Sequence, residues 1–526
     1  MISLLRKSLL ISSAVLTIVI LFSQLHASPL WGELEPGPYR VGYKTVLTHD
    51  LSRPAITVDA DGRKINSLHP GRQMQIGVWY PATKSTRSRS MLFEEYVYLL
   101  KQELEFAPLS ANQRSQAVAL FVKEPLSRGS SEERLQRLMK TTTRAIKNAP
   151  PTRMRFPLIV YAHIAPSANN IMCEYLASHG YVVATIPWKG TFEYNLDVGL
   201  TGVETQIKDI EFAIGLLRKE PNIAADKIAV IGMSFGAISV LGLQTRNSDI
   251  DAVISLDGGI GSSFGAAVVQ RTPYYSLWRI TKPLLHLYGL DVPGTDLSYL
   301  DTLKYSRRYL IAFPGMRHAD FTNQGMLEHF VPGTKDKPEG DSKTGFEWVC
   351  RYVNYFLDAY LKLDPRGIRF MENRPEDNRV PRGTLTIDRR QSLEAPPSVQ
   401  QLQSMIEGQG IKSVIALYVA RKKTDPQPFP QQTLSDVGRW LGGRNDWESA
   451  GRIADLRLES YANSAWANFA AAEVYRRLGR NERARQLYEE ALRLLPSDFD
   501  PEIDFNRRRA IYEGARRNIE LLSDKF

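Results

Sequence analysis

The chain has little cysteine, and this scarcity narrows the chemistry open to it. Only Cys173 and Cys350 occur among 526 residues, and neither has the spacing to other ligands that a zinc site needs. We therefore predict no metal centre. Export of the protein would allow a disulfide, but two separate buried thiols on one face of the fold are the expectation.

The apolar run at the N-terminus is too short for a typical membrane-spanning helix. It covers residues 9–22, follows Arg6 and Lys7, and precedes Leu25-His26-Ala27, which resembles a small-residue cleavage site. Residues 1–27 are therefore predicted to be a signal peptide, and the protein to be periplasmic or secreted. An uncleaved N-terminal membrane anchor is the alternative.

Acidic residues are outnumbered by basic ones. The chain has 67 Lys and Arg against 57 Asp and Glu, for a formal net charge of +10. Such a charge favours encounters with acidic surfaces or anionic lipid, so association with a membrane surface stays open. The basic residues are spread along the chain without a recognisable nucleic-acid module, and nucleic acid is not an expected partner. The length predicts two domains.

The regular part of the chain predicts an α/β fold. From Phe156 onward, apolar strands alternate with amphipathic helices, which is typical of a mostly parallel sheet with helices on both faces. This domain is predicted to cover residues 28–363. The predicted strands are residues 39–48, 74–80, 157–162, 181–186, 228–231, 252–256, 284–288 and 309–313.

Residues 91–147 interrupt this pattern. Their apolar spacing predicts three helices, the second over 113–122 and the third over 132–146. Such an insertion is either a surface addition or a lid or pocket wall at the catalytic end of the sheet. The sequence leaves both open.

The stretch 227–240, KIAVIGMSFGAISV, predicts a strand, a sharp turn and a helix with Ser234 at the apex. A turn of this kind strains the backbone of the serine and leaves no room for a side chain at Gly232 or Gly236. The serine is thereby exposed as a nucleophile. The alternative is a glycine-rich turn whose serine only caps the helix.

A serine nucleophile needs a histidine base and an acid that orients the histidine. His318 follows the last predicted strand and is the candidate base, with His329 in reserve, while His286 lies inside a strand and is predicted to be an interior histidine. Asp257 and Asp291 both end strands, and their spacing does not choose between them.

The region 41–361 resembles the platelet-activating-factor acetylhydrolase-like serine esterases, which are related to dienelactone hydrolases. The likeness rests on the segments VGYKTV, QIGVWYPA, YLASHGYVVATIPWKGT, GMSFG, VISLDGG and PGMRHADF. It implies an α/β-hydrolase fold, Asp257 rather than Asp291 as the acid, and His318 as the base. It also implies an oxyanion hole from the backbone N–H groups of Phe235 and Ala165.

One position departs from that family. His163 is followed by Ile164 where the family usually has glycine, which restricts how this loop presents its amides. We therefore expect the oxyanion geometry or the accepted substrate size to differ from those of the family.

The C-terminal part has a different periodicity. Residues 364–397 are rich in proline and charge and are predicted to be a linker, and residues 398–526 to be an α-helical domain resembling tetratricopeptide repeats. A shift of 34 residues brings Ala484 onto Ala450 and Asn481 onto Trp447 (484 to 450, 481 to 447). This domain either stabilises the enzyme or binds a protein partner.

These features predict an exported serine carboxylester hydrolase that acts on a lipid or small acyl ester without a cofactor. The alternative is a partner-binding helical-repeat protein whose hydrolase site is weak or vestigial.

Overall fold

A computed structural model of the chain forms two compact units, Met1–Ser392 and Leu393–Phe526. The structure describes residues 28–59, 62–64, 69–83, 89–162, 166–290, 292–327, 330, 342–498 and 503–523.

The first unit is built on one mixed sheet. Its strands are Arg40–Asp50 (β1), Arg72–Ala82 (β2), Ser90–Leu92 (β3), Thr142–Lys147 (β4), Phe156–Ala162 (β5), Val182–Thr185 (β6), Ile223–Met233 (β7), Ala252–Leu256 (β8), Leu284–Gly289 (β9), Arg308–Phe313 (β10) and Thr386–Arg390 (β11). Their order across the sheet is β11-β10-β9-β8-β7-β5-β6-β2-β1-β4-β3.

The middle of this sheet is parallel. Six neighbouring strands, β6, β5, β7, β8, β9 and β10, run in one direction, whereas β2 pairs with β6 in antiparallel register. The carboxyl ends of the parallel strands therefore meet at one edge, which is where ligands bind in open α/β sheets. This strand order, with β2 reversed beside a parallel core, is that of an α/β-hydrolase.

Helices cover both faces of the sheet. Those of the first unit are Phe93–Glu105 (α1), Ala111–Ser127 (α2), Glu132–Met139 (α3), Pro166–Ser178 (α4), Leu200–Leu217 (α5), Gly236–Gln244 (α6), Ser263–Val269 (α7), Ser298–Thr302 (α8), Gln324–Leu327 (α9), Ser342–Tyr360 (α10) and Pro365–Glu372 (α11). Successive residues of β5 enter opposite layers: Ile159 packs in the layer of α4 and α10, and Val160 in that of α5 and α6. Strands buried on both faces explain why the sequence of this region is apolar throughout.

The insertion is only partly helical. Three helices form, but the third, α3, ends at Met139, and the second half of the segment predicted as helix is strand β4. The pattern TTTRAIK contains three β-branched threonines, and β4 pairs with β1 through Val41 and Ala145. The helix prediction over 132–146 is therefore wrong beyond Met139, because pairing with β1 overrides the weak helical periodicity.

The predicted linker belongs largely to the sheet domain. Residues 364–397 contain α11 and β11, and β11 pairs with β10 in antiparallel register from Thr386 to Arg390. Met371 is fully buried in the core of the first unit. A half-exposed edge strand carries charged residues, so TIDRR has the composition of a loop although it is a strand.

Cys173 and Cys350 are free thiols buried in the same apolar layer, as predicted. Burial raises the pKa of both thiols well above the usual range, which keeps them protonated and unreactive.

The predicted signal peptide, 1–27, lies outside the described residues. Among the helices that the structure describes, none is both long enough and apolar enough to cross a membrane.

The second unit consists of helices Val399–Gln409 (α12), Ile411–Lys422 (α13), Gln431–Gly443 (α14), Trp447–Ser460 (α15), Ala465–Arg477 (α16), Asn481–Leu494 (α17) and Phe505–Ser523 (α18). Two helix pairs repeat with a spacing of 34 residues (431 to 465 and 447 to 481). Asn445 and Gly479, which each lie two residues beyond the end of the first helix of a pair, both have left-handed backbone. Ala450 and Ala484 occupy matching, fully buried positions.

Candidate active site

Ser234 occupies a strained turn between β7 and α6. Its φ is +54°, a left-handed value that is uncommon for a residue with a side chain. A Cβ at Gly232 would lie 2.4 Å from the carbonyl carbon of Gly236, and one at Gly236 would lie 2.3 Å from the carbonyl oxygen of Ala162. Only glycine fits at these two positions, so the GMSFG pattern follows from the turn that presents the serine.

Hydrogen bonds hold this turn against the next strand. The backbone N–H of Ser234 donates to the carbonyl of Leu256 at 3.1 Å, and the carbonyl of Ser234 accepts from Gly259 at 2.9 Å. A strained backbone conformation persists only where surrounding contacts hold it in place. Here the two hydrogen bonds to Leu256 and Gly259, on either side of Asp257, hold it. The serine turn and the end of β8 therefore form one rigid piece.

Asp257 and His318 are joined directly. Asp257 Oδ2 lies 2.6 Å from His318 Nδ1, and Asp257 Oδ1 accepts a hydrogen bond from the N–H of Gly289 at 2.9 Å. The aspartate side chain is 6% exposed and the histidine side chain 50% exposed. A buried acceptor at Nδ1 favours the tautomer with hydrogen on Nδ1, which leaves Nε2 as an acceptor for a proton.

Ser234, Asp257 and His318 all follow parallel strands, namely β7, β8 and β10, at the same edge of the sheet. Among the described residues, no hydrogen bond joins the Ser234 hydroxyl to His318. Bonds between nucleophile and base are often long without substrate and shorten in the reacting complex.

The expected oxyanion side is described in part. Phe235 begins the turn into α6, its ring is buried, and Trp188 meets it edge to face with centroids 5.9 Å apart. Arg72 holds the loop of Trp188, because its guanidinium donates to the carbonyl of Lys189 at 2.9 Å and forms two 2.7 Å bonds with Asp209. Among the candidate site residues of the sequence analysis, those that lie outside the described residues are His163, Ile164, Ala165, Asp291 and His329.

His286 lies in the interior, as predicted. Its Nδ1 is 2.9 Å from the Ser255 hydroxyl, and its ring stacks on Tyr288. Nε2 has no hydrogen-bond partner within the described part of the chain. Burial lowers the pKa of His286 to about 4, so the ring is neutral at pH 7.

Sequence reasoning missed Asn323, which links the histidine segment to α4. It is 1% exposed and makes four hydrogen bonds with α4: its N–H donates to Ala168, its amide nitrogen to Ser167 and Asn170, and its amide oxygen accepts from Ile171. The only sequence signal is an asparagine five residues after His318. Its partners lie more than 150 residues away, so no local pattern reveals them.

Comparison with known proteins gives one family match. The model described as "BAAT / Acyl-CoA thioester hydrolase C terminal" matches residues 207–287. A comparison with curated proteins finds no match. Among solved structures, a ferulic acid esterase from Streptomyces cinnamoneus is similar, with a TM-score of 0.46 and 19% identity, over 66% of this chain and 96% of that one.

The family match runs from α5 through the serine turn to β9. It includes Ser234 and Asp257 and ends before His318. Together with the sheet order, it supports a hydrolase of the esterase type in general terms. The resemblance to platelet-activating-factor acetylhydrolases and dienelactone hydrolases stays a prediction.

Proposed function

We propose that this protein is an exported serine carboxylester hydrolase that uses Ser234, His318 and Asp257 and forms an acyl-enzyme. The observation that carries the proposal is the hydrogen bond of Asp257 to His318 at the sheet edge where the turn presents Ser234. A buried carboxylate on Nδ1 orients the ring and stabilises the imidazolium that forms when Nε2 takes a proton.

In this mechanism, His318 Nε2 takes the hydroxyl proton while Ser234 Oγ attacks the carbonyl carbon of the ester. The oxyanion accepts hydrogen bonds from the N–H groups of Phe235 and Ala165. When this tetrahedral intermediate collapses, the bond between the carbonyl carbon and the alcohol oxygen breaks. The alcohol leaves with the proton from His318. Water then attacks the acyl-serine and gives a proton to His318. The bond between the acyl carbon and Ser234 Oγ breaks, Oγ takes the proton from His318, and the acid is released.

A lipid or a small acyl ester is the proposed substrate class. The matched family model is named for thioester hydrolysis, and a thioester would react by the same steps with a thiol as the leaving group. We therefore propose testing an ester and a thioester with the same acyl group.

Hydrolysis of p-nitrophenyl acyl esters and acyl-CoA by wild-type and Ser234→Ala protein tests the proposal. Ser115→Ala is the matched control, because Ser115 is an exposed serine on α2. We expect activity in the wild type and the control and background rates in Ser234→Ala. Equal rates in all three proteins would refute the serine mechanism.

Export is proposed from residues 1–27 alone. Mass spectrometry of the protein made with its full N-terminus tests it. A mature chain that begins near Ser28 supports cleavage, and an intact Met1 supports the uncleaved anchor.

A cavity in the second unit supports a second function, the binding of a protein partner by a tetratricopeptide-like array. Its volume is about 580 Å³, and helices α14, α15, α16 and α18 line it. The guanidinium groups of Arg457 and Arg507 lie over the Trp466 ring, 4.1 and 3.8 Å from its centroid. Four arginines and one glutamate line the cavity, so its charge is complementary to an acidic peptide.

Fluorescence anisotropy with labelled hexaglutamate and hexalysine peptides tests this second function. Arg477→Glu changes a cavity residue, and Arg483→Glu makes the same change on an exposed position of α17 outside it. We expect hexaglutamate to bind, hexalysine not to bind, and only Arg477→Glu to weaken the affinity. Equal affinities for the two variants would contradict the assignment.

A further inference from the structure

A cavity of about 360 Å³ lies between the insertion and two other segments, the start of α4 and the stretch that follows His318. One wall is helix α2, with Leu120, Phe121 and Pro125. The other wall is the start of α4, with Ala168, and the segment around Leu327. Cavities of this size hold small ligands and alkyl chains.

Short stretches of chain connect the second wall of this cavity to the end of β5 and to His318. Strand β5 ends at Ala162, whose carbonyl oxygen is so close to Gly236 that a Cβ there would lie 2.3 Å from it. Helix α4 begins at Pro166, four residues further (162 to 166). The second segment starts at Thr322, four residues after His318 (318 to 322). The two segments of the second wall are therefore short continuations of the end of β5 and of the His318 segment.

The walls are held together before any ligand binds. Asn323 crosses from the histidine segment to α4 with four hydrogen bonds of 2.7 to 3.3 Å and is almost fully buried. The Ser130 hydroxyl, just beyond α2, donates to the carbonyl of Phe330 at 3.2 Å. A preformed cavity loses little conformational freedom when a ligand enters.

Three of the polar residues that line the cavity have partners outside it or in the same helix. Arg128 forms an ion pair with Glu124, and the Thr322 hydroxyl donates to the carbonyl of Ala319 at 2.7 Å. Phe121 packs edge to face on Phe93, which anchors α2 to the core. Leu120, in contrast, is 65% exposed although it lines the cavity. The surface left for a ligand is thus mainly apolar.

We propose that this cavity binds the apolar chain of the ester, in its acyl or its alcohol part, and so sets chain-length preference. The proposal rests on the proposed function and deepens it, because it makes the substrate an ester with an alkyl or aryl chain. Burial of each methylene contributes ~0.8 kcal/mol, which is about fourfold in kcat/KM per added carbon until the cavity is full.

Leu120→Asp tests the assignment, because it places a negative charge on the cavity wall where an apolar chain would bind. Leu120 is largely exposed, so the substitution should not destabilise the fold. Ala119→Asp is the matched control: it makes the same change one residue earlier on α2, at an exposed position that does not line the cavity. Two substrate series are measured, p-nitrophenyl acyl esters from acetyl to dodecanoyl and n-alkyl acetates from ethyl to dodecyl.

We expect Leu120→Asp, and not Ala119→Asp, to lower the long-chain to short-chain ratio of kcat/KM by roughly tenfold or more in one series. A fall in the acyl series assigns the acyl chain, and a fall in the acetate series assigns the alcohol chain. An unchanged ratio in both series would overturn the proposal.

A binding measurement separates this proposal from the catalytic one. Calorimetric titration of Ser234→Ala protein with octanoate and with octanol needs no turnover. Weaker binding after Leu120→Asp than after Ala119→Asp supports the cavity even if the wild type hydrolyses nothing. Both substitutions are made in the Ser234→Ala protein. Equal binding by the two resulting double variants, or no binding of octanoate or octanol by the Ser234→Ala protein, would overturn the proposal.

Discussion

The carboxylate of Asp257 contacts His318 with one oxygen and the N–H of Gly289 with the other, at 2.6 and 2.9 Å. Gly289 ends β9, the strand beside β8, so the sheet fixes the carboxylate. The imidazole is half exposed and is oriented through a single nitrogen. The acid is therefore rigid, and the base lies at the surface where substrate can reach it.

Replacement of Asp257 should abolish most of the activity. Asp257→Asn keeps the size of the side chain but no longer favours hydrogen on Nδ1 of His318, and we expect kcat to fall by about four orders of magnitude. Asp291→Asn, the alternative acid, should have little effect. Steady-state kinetics of both variants decides between them, and the reverse pattern would reassign the acid.

Two glycine substitutions should act in opposite directions. Gly236→Ala places a Cβ 2.3 Å from the carbonyl oxygen of Ala162, and we expect a loss of activity with about 1–3 kcal/mol of destabilisation. Gly215→Ala on α5 meets no atom within 4 Å and should stabilise the helix by ~0.5–1 kcal/mol. Urea denaturation measures both effects. A harmless Gly236→Ala would contradict the steric account.

Replacement of Asn323 should lower the catalytic rate because it changes the position of the segment that carries His318. Asn323→Ala removes the three side-chain hydrogen bonds between the histidine segment and α4, so we expect kcat to fall at least tenfold for short esters while KM changes less. Asn323→Asp keeps only the acceptor and should be intermediate. Equal kinetics of the two variants would argue against this positioning role.

His286 should make the folded state sensitive to acid. Its pKa is about 4 when folded and near 6.5 when unfolded, so its full contribution is present above pH 6.5. Between pH 6.5 and pH 4 the unfolded chain takes up a proton that the folded chain refuses, and stability falls. We expect wild type to lose about 2 kcal/mol more than His286→Asn between pH 7 and 4.5. Urea denaturation at both pH values checks this. Equal losses of unfolding free energy in wild type and His286→Asn would be inconsistent with a buried, neutral ring.

Two truncations should separate the sheet domain from the predicted linker. A chain of residues 28–392 keeps β11 and the buried Met371, and we expect it to be soluble and to hydrolyse esters like the full chain. A chain of residues 28–363 loses both and exposes apolar core, so it should aggregate or unfold at lower temperature. Comparable solubility and melting temperature of the two chains would mean that β11 adds nothing to the fold.

The sequence predicted the centre of the sheet better than its edges. Strand β8 has the predicted bounds, and the predicted strands at 157–162 and 309–313 differ from β5 and β10 by one residue. These strands are apolar on both faces, so the sequence alone marks them. Strands β4 and β11 lie near the two edges and carry threonine, aspartate and arginine, so the sequence pattern predicts a helix and a linker in their place.

The sequence by itself determined the serine turn, because GMSFG reflects steric limits within a few residues of chain. It also placed Asp257 and His318 after strands whose carboxyl ends share an edge, since the parallel direction of the strands follows from the alternation of strands and helices. Only the tertiary structure decided that Asp257 contacts His318, that Asn323 ties the histidine segment to α4, and that α2 forms a cavity wall. These relationships depend on how side chains pack across segments that are far apart in the chain, as Asp257 and His318 are at 61 residues (257 to 318), and local patterns do not encode such contacts.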